Sequence, residues 1–530
     1  MLKPSEVKVV KDKNIIPETF VNKTKLTFRE AIQKRQFSVT WELVPGRGAW
    51  EKSQEHVMRM AELAAKNPRI NGITITDNPG GKPAILTIPV AVEVLRFGIE
   101  PVIHFTCKDK NRNDIESELY AIARLGLKNL LVMTGDYPSE GYMGLPKPVF
   151  DLDSVQTLRL INFMNIGEAI PSFKGNVTLQ KTDFFAGAVV SPFKYTEAEI
   201  MAQYYKLHKK IQGGAKFIIT QLGYDARKFD EIKKYMDECC IDVPLIGNIF
   251  VLGSQIAKLM NKGTIPGCVV SDELLAVIEK EKNEKNFIEL QLERSARLYA
   301  IFSGLGYGGV NISGHGLGYE NIVYIVERGV ELSRNWVDVL DSVNYSQKNA
   351  FYYYEKDCSR YFNSDTPVNR KRTGAKAYSV KFFIMSVFHK LLFNRDSILF
   401  PLIRFLMRII DNTFLRKPFA LFEYYIKTFT NQCRFCGDCA IHELGFICPM
   451  AICPKQQRNG ACGGSRNGWC EVYPGKQKCI FVIMYGYYKA AGKEEIMKDG
   501  YIPPCNWDLH RTSSWINFFL GRDYSSKRCL

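Results

Sequence analysis

Eight cysteines fall in one short stretch: Cys433, Cys436, Cys439, Cys448, Cys453, Cys462, Cys470 and Cys479. The first three follow a C-x2-C-x2-C spacing in "CRFCGDC", and Cys448 and Cys453 are each followed directly by proline. Thiolates at such short spacing are suited to metal, because one tight loop can present three ligands and a distant residue the fourth. An iron–sulfur cluster of the four-iron type fits a C-x2-C-x2-C start with a remote Cys-Pro. Zinc competes, since four thiolates in a tetrahedron make a structural site. Eight thiols suffice for two sites, and His442 could replace one thiolate. A disulfide framework is disfavoured. The N-terminal "MLKPSEVKVVKDKN" lacks the apolar core of a signal peptide, so the chain is expected in the cytoplasm, where thiols stay reduced. Cys107, Cys239, Cys240, Cys268 and Cys358 are scattered and read as small apolar core residues.

A second set of polar residues ends short apolar runs in the first half of the chain. Glu42 ends "FSVTWELV", Thr76 and Asp77 end "GITITD", and His104 and Thr106 lie in "PVIHFTC". Asp136 ends "NLLVMTGD" and Gln221 ends "KFIITQ". A carboxylic acid among them can serve as a general acid, and a fixed carboxylate can stabilise a developing cation. Each also has a plain structural reading. Glu42 could pair with Arg47 at a rim, Asp136 could cap its own turn, His104 could be a hydrogen-bonded core histidine, and Gln221 a solvated loop residue.

The elements that must hold these residues repeat. Eight near-continuous apolar runs lie between residues 30 and 315, the five above joined by "FAGAVVS", "PLIGNIF" and "GVNISG". Between them, segments such as "SQEHVMRMAELAAKN" carry apolar residues at helical spacing. Strand and helix in alternation mean an α/β fold with a parallel sheet, and a count of eight favours a (β/α)8 TIM-type barrel over an open doubly wound sheet. Residues 1–330 are then the barrel, 331–430 a helical connection, and 431–530 a small cysteine-rich metal-binding domain. In a barrel, the polar residues above would converge on the mouth formed by the C-terminal strand ends. "GLGYGG" from Gly304 precedes a strand where a dinucleotide fingerprint follows one, so it reads as a turn.

The bulk numbers bound the partners. With 46% hydrophobic and 24% charged residues in 530, the chain has the composition of a folded protein. A net charge of +16 suits an anionic partner. Basic residues are dispersed and no nucleic-acid motif is present, which argues against nucleic acid. The most apolar stretch, residues 380–410, is broken by His389, Lys390, Arg395, Asp396 and Arg404, so no run is long enough to span a membrane. It reads as packed helices joining two domains, with a membrane-surface role as the alternative.

Taken in order, "ELVPGRG", "HFTCKDKNR", "GLKNLLVMTGDYP" and "GGAKFIITQLGYD" resemble the methylenetetrahydrofolate reductases over about residues 30 to 330. "CRFCGDCAIHELGFICPMAICPKQQRNGACGG" with "WCEVYPGKQKC" resembles the cysteine-rich domain fused or paired with this reductase in some anaerobic bacteria. The resemblance implies FAD as cofactor and reduction of 5,10-methylenetetrahydrofolate to 5-methyltetrahydrofolate by hydride transfer. By the same resemblance, Glu42 matches the general acid and Asp136 the acidic residue beside flavin and pterin. Gln221 matches an amide that binds the folate ring. His104, Thr106, Thr134 and Gly135 match positions that hold the flavin, as does Thr76 or its neighbour Asp77. Lys209 or Lys210 falls where the family places basic residues toward the cofactor phosphates, unless they are a solvated helix face.

Two departures bear on the donor. "NIFVLGSQ" follows the seventh strand where an aromatic-containing loop is common, and "SGHGLGY" follows the eighth in place of an Arg-containing turn. They count against a nicotinamide nucleotide, so the donor stays open between NAD(P)H, a ferredoxin-like protein and an electron-transfer subunit; an oligomer is expected. The competing reading is a non-redox folate- or flavin-binding or methyl-transfer subunit with a structural zinc domain.

Overall fold

The computed structural model describes residues 25–173, 175–357, 362–368 and 380–527. The N-terminal stretch from which a cytoplasmic location was read, and Cys358, lie outside the described residues.

All eight apolar runs form strands: β1 (Ser38–Leu43), β2 (Gly72–Ile75), β3 (Glu100–Thr106), β4 (Asn129–Met133), β5 (Phe185–Val190), β6 (Ile218–Thr220), β7 (Leu245–Val251) and β8 (Gly309–Gly314). Every pairing is parallel, each strand lies beside its sequence neighbours, and β8 closes on β1 with Ser38 opposite Gly309. The fold is a (β/α)8 barrel. Strands buried on both faces leave no room for polar alternation, which is why each reads as an apolar run.

The helices follow the same logic. A short α1 (Phe28–Gln33) closes the N-terminal end of the barrel, where Phe28 and Ile32 pack on Val102, Leu131, Phe185 and Phe217. Outside the strands lie α2 (Lys52–Lys66), α3 (Thr87–Arg96), α4 (Arg112–Arg124), α5 (Ser154–Ile166), α6 (Glu197–Gln212) and α7 (Ala226–Glu238). They are followed by α8 (Ser254–Asn261), α9 (Asp272–Glu281), α10 (Phe287–Gly304) and α11 (Tyr319–Leu332). Their starts are fixed by side-chain caps: Asn111 for α4, Asp153 for α5, and a Thr196–Glu199 capping box for α6. "GLGYGG" is the turn between α10 and β8.

The connection is not helical throughout. A two-stranded antiparallel hairpin, Tyr354–Lys356 with Asn363–Pro367, is pinned to α7. Arg227 donates to Asn363 Oδ1 at 2.8 Å and to the Tyr354 carbonyl at 2.7 Å. Three helices follow: α12 (Val380–Phe388), α13 (Phe400–Asp411) and α14 (Arg416–Asn431). No described helix is long and apolar enough to cross a membrane.

The cysteine-rich segment has little regular structure beyond α15 (Ile480–Ala490) and α16 (Ser514–Phe519), and buried polar contacts shape it instead. Asp153, the cap of α5, also accepts from the backbone N–H of Arg458 and Asn459 and from Asn459 Nδ2 at 2.9–3.2 Å. Asp438 pairs with Arg458 and accepts from the N–H groups of Asn506 and Tyr524. One carboxylate in each case satisfies several buried donors, and such groups are costly to leave unpaired. Of the scattered cysteines, Cys107 and Cys268 are buried as expected. Cys240 is not a core residue: it is exposed, in the left-handed conformation (φ 52°) that ends the turn after α7.

Candidate functional site

The C-terminal strand ends gather Glu42, Thr76, Asp77, His104, Thr106, Thr134, Gly135, Asp136 and Gln221 around the barrel mouth. Glu42 is the most perturbed carboxyl among them. Burial pushes its pKa up to about 7, partly opposed by a hydrogen bond from Asn311 Nδ2 at 3.2 Å. Asn311 sits inside β8 with its amide orientation fixed, because its Oδ1 accepts from the hydroxyls of Thr40 and Thr74, both at 2.9 Å. Its Nδ2 is thereby aimed at Glu42. Arg47 pairs with Glu140 at 3.0 Å, so Glu42 is not the rim partner of Arg47.

His104 Nε2 lies 3.9 Å from Glu42 and has no hydrogen-bond partner although buried. Burial lowers its pKa to about 4, so the ring is neutral at physiological pH. Thr76 Oγ1 is buried and unpartnered as well. Asp77 is engaged through one oxygen: its Oδ2 accepts from Thr106 Oγ1 at 2.6 Å and from Thr106 N, and lies 3.6 Å from Lys110, which also pairs with Glu118 at 2.6 Å. Buried polar atoms without partners are rare in a folded protein. Thr76 and His104 supply two of them at the mouth, beside the mutually bonded Asp77 and Thr106.

Asp136 does not cap its own turn. Its carboxylate accepts from the Gly80 N–H at 2.8 Å, tying the loop after β4 to the loop after β2. Gly135 before it has φ 84°, and a Cβ there would meet Lys108 and Thr106 within 3 Å, so only glycine fits. Gln221 Oε1 accepts from the neighbouring Leu222 N–H, and its Nε2 faces Gly267.

Lys209 and Lys210 belong to a different group. They sit in the last turn of α6, where Lys210 donates to the Val189 carbonyl and Lys209 lines a cavity shared with Lys206, Glu443 and Arg458. Burial depresses both amines, to about 8 and about 7. Both are buried, so they are not a solvated helix face.

The cysteine-rich segment covers part of that mouth. Thr134 donates to Gln457 at 3.1 Å, Lys455 donates to the Gly135 carbonyl at 2.7 Å, and Lys194, beyond β5, donates to the carbonyls of Gly463 and Ser465. Its eight expected thiols separate into two sets of four. Cys433, Cys436, Cys439 and Cys448 border one cavity with Glu423, Lys427 and Arg458; Cys453, Cys462, Cys470 and Cys479 border another with Lys455 and Glu471. Among the described residues no three His, Cys, Asp or Glu side chains converge closely enough to hold a single ion. His442 joins neither set. Its ring stacks on His389 with centroids 3.4 Å apart.

The second set reaches the barrel through a continuous polar chain. Cys462 Sγ donates to Glu471 at 3.2 Å, Glu471 pairs with Lys455, and Lys455 donates to Gly135. A ninth thiol, Cys505, adjoins the first set. Its hydrogen bond to Cys436 is the main cause that lowers the Cys436 pKa below the usual thiol range.

Residues 27–298 match the family model described as "Methylenetetrahydrofolate reductase". This chain belongs to the methylenetetrahydrofolate reductase family. Residues 414–508 match a second model, "Methylene-tetrahydrofolate reductase C terminal", which takes in all nine clustered thiols. A Caenorhabditis elegans "Probable methylenetetrahydrofolate reductase (NADPH)" is 26% identical over 176 residues, covering 33% of this chain and 24% of that protein. A Salmonella typhimurium "5,10-methylenetetrahydrofolate reductase" is 23% identical over 300 residues, 51% of this chain and 91% of that protein. The chain thus spans about a quarter of the nematode relative and most of the bacterial one. A solved Clostridium thermocellum protein, titled as binding two copies of 5-methyl-5,6,7,8-tetrahydrofolic acid, shares 16% identity over 58% of this chain and 99% of that one, with a TM-score of 0.42.

The span matched to the reductase family contains every mouth residue expected from the sequence, yet the residue that orients Glu42 lies beyond it. Asn311 was legible only as one polar residue in the middle of the apolar run "GVNISG". Cys505 stood apart from the cluster in "IPPCNW", and only the fold carries it back to Cys436.

Proposed function

We propose that this member of the methylenetetrahydrofolate reductase family reduces 5,10-methylenetetrahydrofolate to 5-methyltetrahydrofolate at the barrel mouth, with FAD as cofactor. Glu42 carries the reading. A buried carboxyl with a pKa of about 7 is half protonated at neutral pH, the condition under which a general acid works best. Asn311 holds that acid in place, and Glu42 is assigned the proton that folate N10 must receive before the imidazolidine ring of the substrate opens to an iminium ion.

Bound reduced flavin supplies the hydride to that one-carbon unit. The residues present suit a flavin: Thr76 Oγ1 and His104 Nε2 are buried and unpartnered, and neutral His104 adds no charge beside Glu42. Asp136, fixed by Gly80, is assigned the negative charge that stabilises the cationic iminium. Gln221 is assigned to the pterin ring.

The two thiol sets are assigned to iron–sulfur clusters. Each set offers four thiols around one cavity, a full thiolate complement for one centre, and the C-x2-C-x2-C start of the first set is that of a four-iron ligand run. Lys455, which borders the second set and donates to Gly135, puts that set beside the mouth, which favours electron supply by an acidic ferredoxin-like carrier or subunit matched to the net charge of +16.

The test is a visible spectrum of anaerobically purified protein, with iron and zinc measured on the same sample. Flavin bands over a broad shoulder at about 400 nm with stoichiometric iron are expected. Flavin with zinc and no iron would remove the clusters and leave the reductase reading intact; absence of flavin would remove the reductase reading.

A further inference from the structure

Three consecutive helices leave an apolar stripe uncovered, each with the same spacing. On α12 and the turn after it the stripe is Ile384, Val387, Phe388 and Leu391, between 41 and 56% exposed. On α13 it is Leu402, Phe405, Leu406 and Ile409, 45 to 60% exposed. On α14 it is Phe422, Tyr425, Ile426 and Phe429, 39 to 94% exposed. The spacing i, i+3, i+4, i+7 is that of a helix face built to be buried. A second apolar face of α13, with Phe400, packs on α16, so the outward stripe is additional to the one the fold uses. Not one residue of α13 is fully buried. Isolated surface apolar residues are ordinary, but an array of this extent marks an interaction surface.

Charge narrows the occupant. Exposed cations on this stretch are Lys381, Lys390, Arg395, Arg404, Arg408, Arg416 and Lys417, against one exposed acid, Asp396. Lys390, Arg404, Arg408 and Lys417 have no ion-pair partner among the described residues. A second copy docking here through a two-fold axis would set this basic, apolar patch against itself. An anionic surface is its complement. No described helix can cross a bilayer, while Phe, Leu and Ile stripes flanked by Arg and Lys are the composition of helices that lie in a membrane interface.

We infer that residues 380–431 form a peripheral docking surface for an anionic lipid bilayer, with the three stripes inserted at headgroup level. The buried face of α14, Glu423 and Lys427, borders the first thiol cavity. Docking would therefore hold that cavity about 10 Å, one helix diameter, from the lipid.

The experiment is flotation of the full-length protein with vesicles. Binding to mixed phosphatidylcholine–phosphatidylglycerol vesicles is expected, weakened by high salt and much reduced on phosphatidylcholine alone. R404E with R408E should lower partitioning by about 25-fold or more, at about fivefold per cation removed. Phe405→Asp with Ile409→Asp, both outward-facing, should abolish it while the thermal transition stays in place. No flotation with anionic vesicles at low salt overturns the inference, as does flotation that the stripe variants do not change. A concentration-dependent dimer that F405D disperses, without lipid binding, would assign the face to a second copy; capture of an acidic protein without lipid binding would assign it to that partner. Either replaces the membrane.

Discussion

Lys455 of the cysteine-rich segment donates to the carbonyl of Gly135 at 2.7 Å, across 320 positions of sequence. Gly135 is the residue whose left-handed backbone turns the chain from β4 into Asp136. The same ammonium pairs with Glu471, which accepts from Cys462, so one buried cation joins the thiol segment to the barrel mouth. Lys455→Met would leave Glu471 buried and unpaired, a loss of about 3–5 kcal/mol, whereas the paired change with Glu471→Met should recover much of it. Thermal unfolding of the three proteins measures the difference.

Glu42→Gln should retain flavin that remains photoreducible but lose folate turnover by about 10²–10⁴-fold. Turnover at the wild-type rate would remove Glu42 as the acid. In the wild type, the rate limited by proton delivery should fall as pH rises through about 7, since the acid form is the one below that pKa.

The same shift makes a stability prediction of definite sign. Burial raises the Glu42 pKa, so the folded state holds a proton that the unfolded state releases above about 4.5. The penalty for ionising Glu42 in the fold therefore grows as pH rises from about 4.5 to about 7 and is complete above it. Glu42→Gln escapes it, and should be more stable than wild type at pH 8 by up to about 3 kcal/mol, but not at pH 4. Chemical denaturation at the two pH values is the check.

Asn311→Leu removes the donor that holds the Glu42 pKa down, so the alkaline limb of the pH–rate profile should move to higher pH as well as the rate falling. A drop in rate with an unmoved limb would mean Asn311 serves only the packing of Thr40 and Thr74.

Asp136→Asn should slow oxidation of reduced flavin by methylenetetrahydrofolate by about 10–10³-fold, on the scale of losing one preorganised electrostatic contact. An unchanged rate in stopped-flow mixing would reduce Asp136 to the tie on Gly80.

If both thiol sets hold clusters, Cys439→Ala and Cys470→Ala should each remove about half the iron and leave the other set filled. Flavin should still be bound in both. Loss of all iron in either single variant would mean one shared centre.

The sequence by itself determined the eight strands and their parallel order. A strand buried on both faces must be apolar along its length, and its C-terminal end must break that run, so Glu42, Asp77, Asp136 and Gln221 stood out at the breaks. Cysteine spacing likewise marked the thiol segment. Tertiary structure alone decided the partition of the thiols into two sets, the return of Cys505 to Cys436 and the contact of Lys455 with Gly135, because each joins residues whose separation along the chain carries no periodic signal. It also decided what Glu42 is. A carboxyl's pKa depends on burial and on one amide aimed from β8, and neither is a property of the residues beside it in sequence.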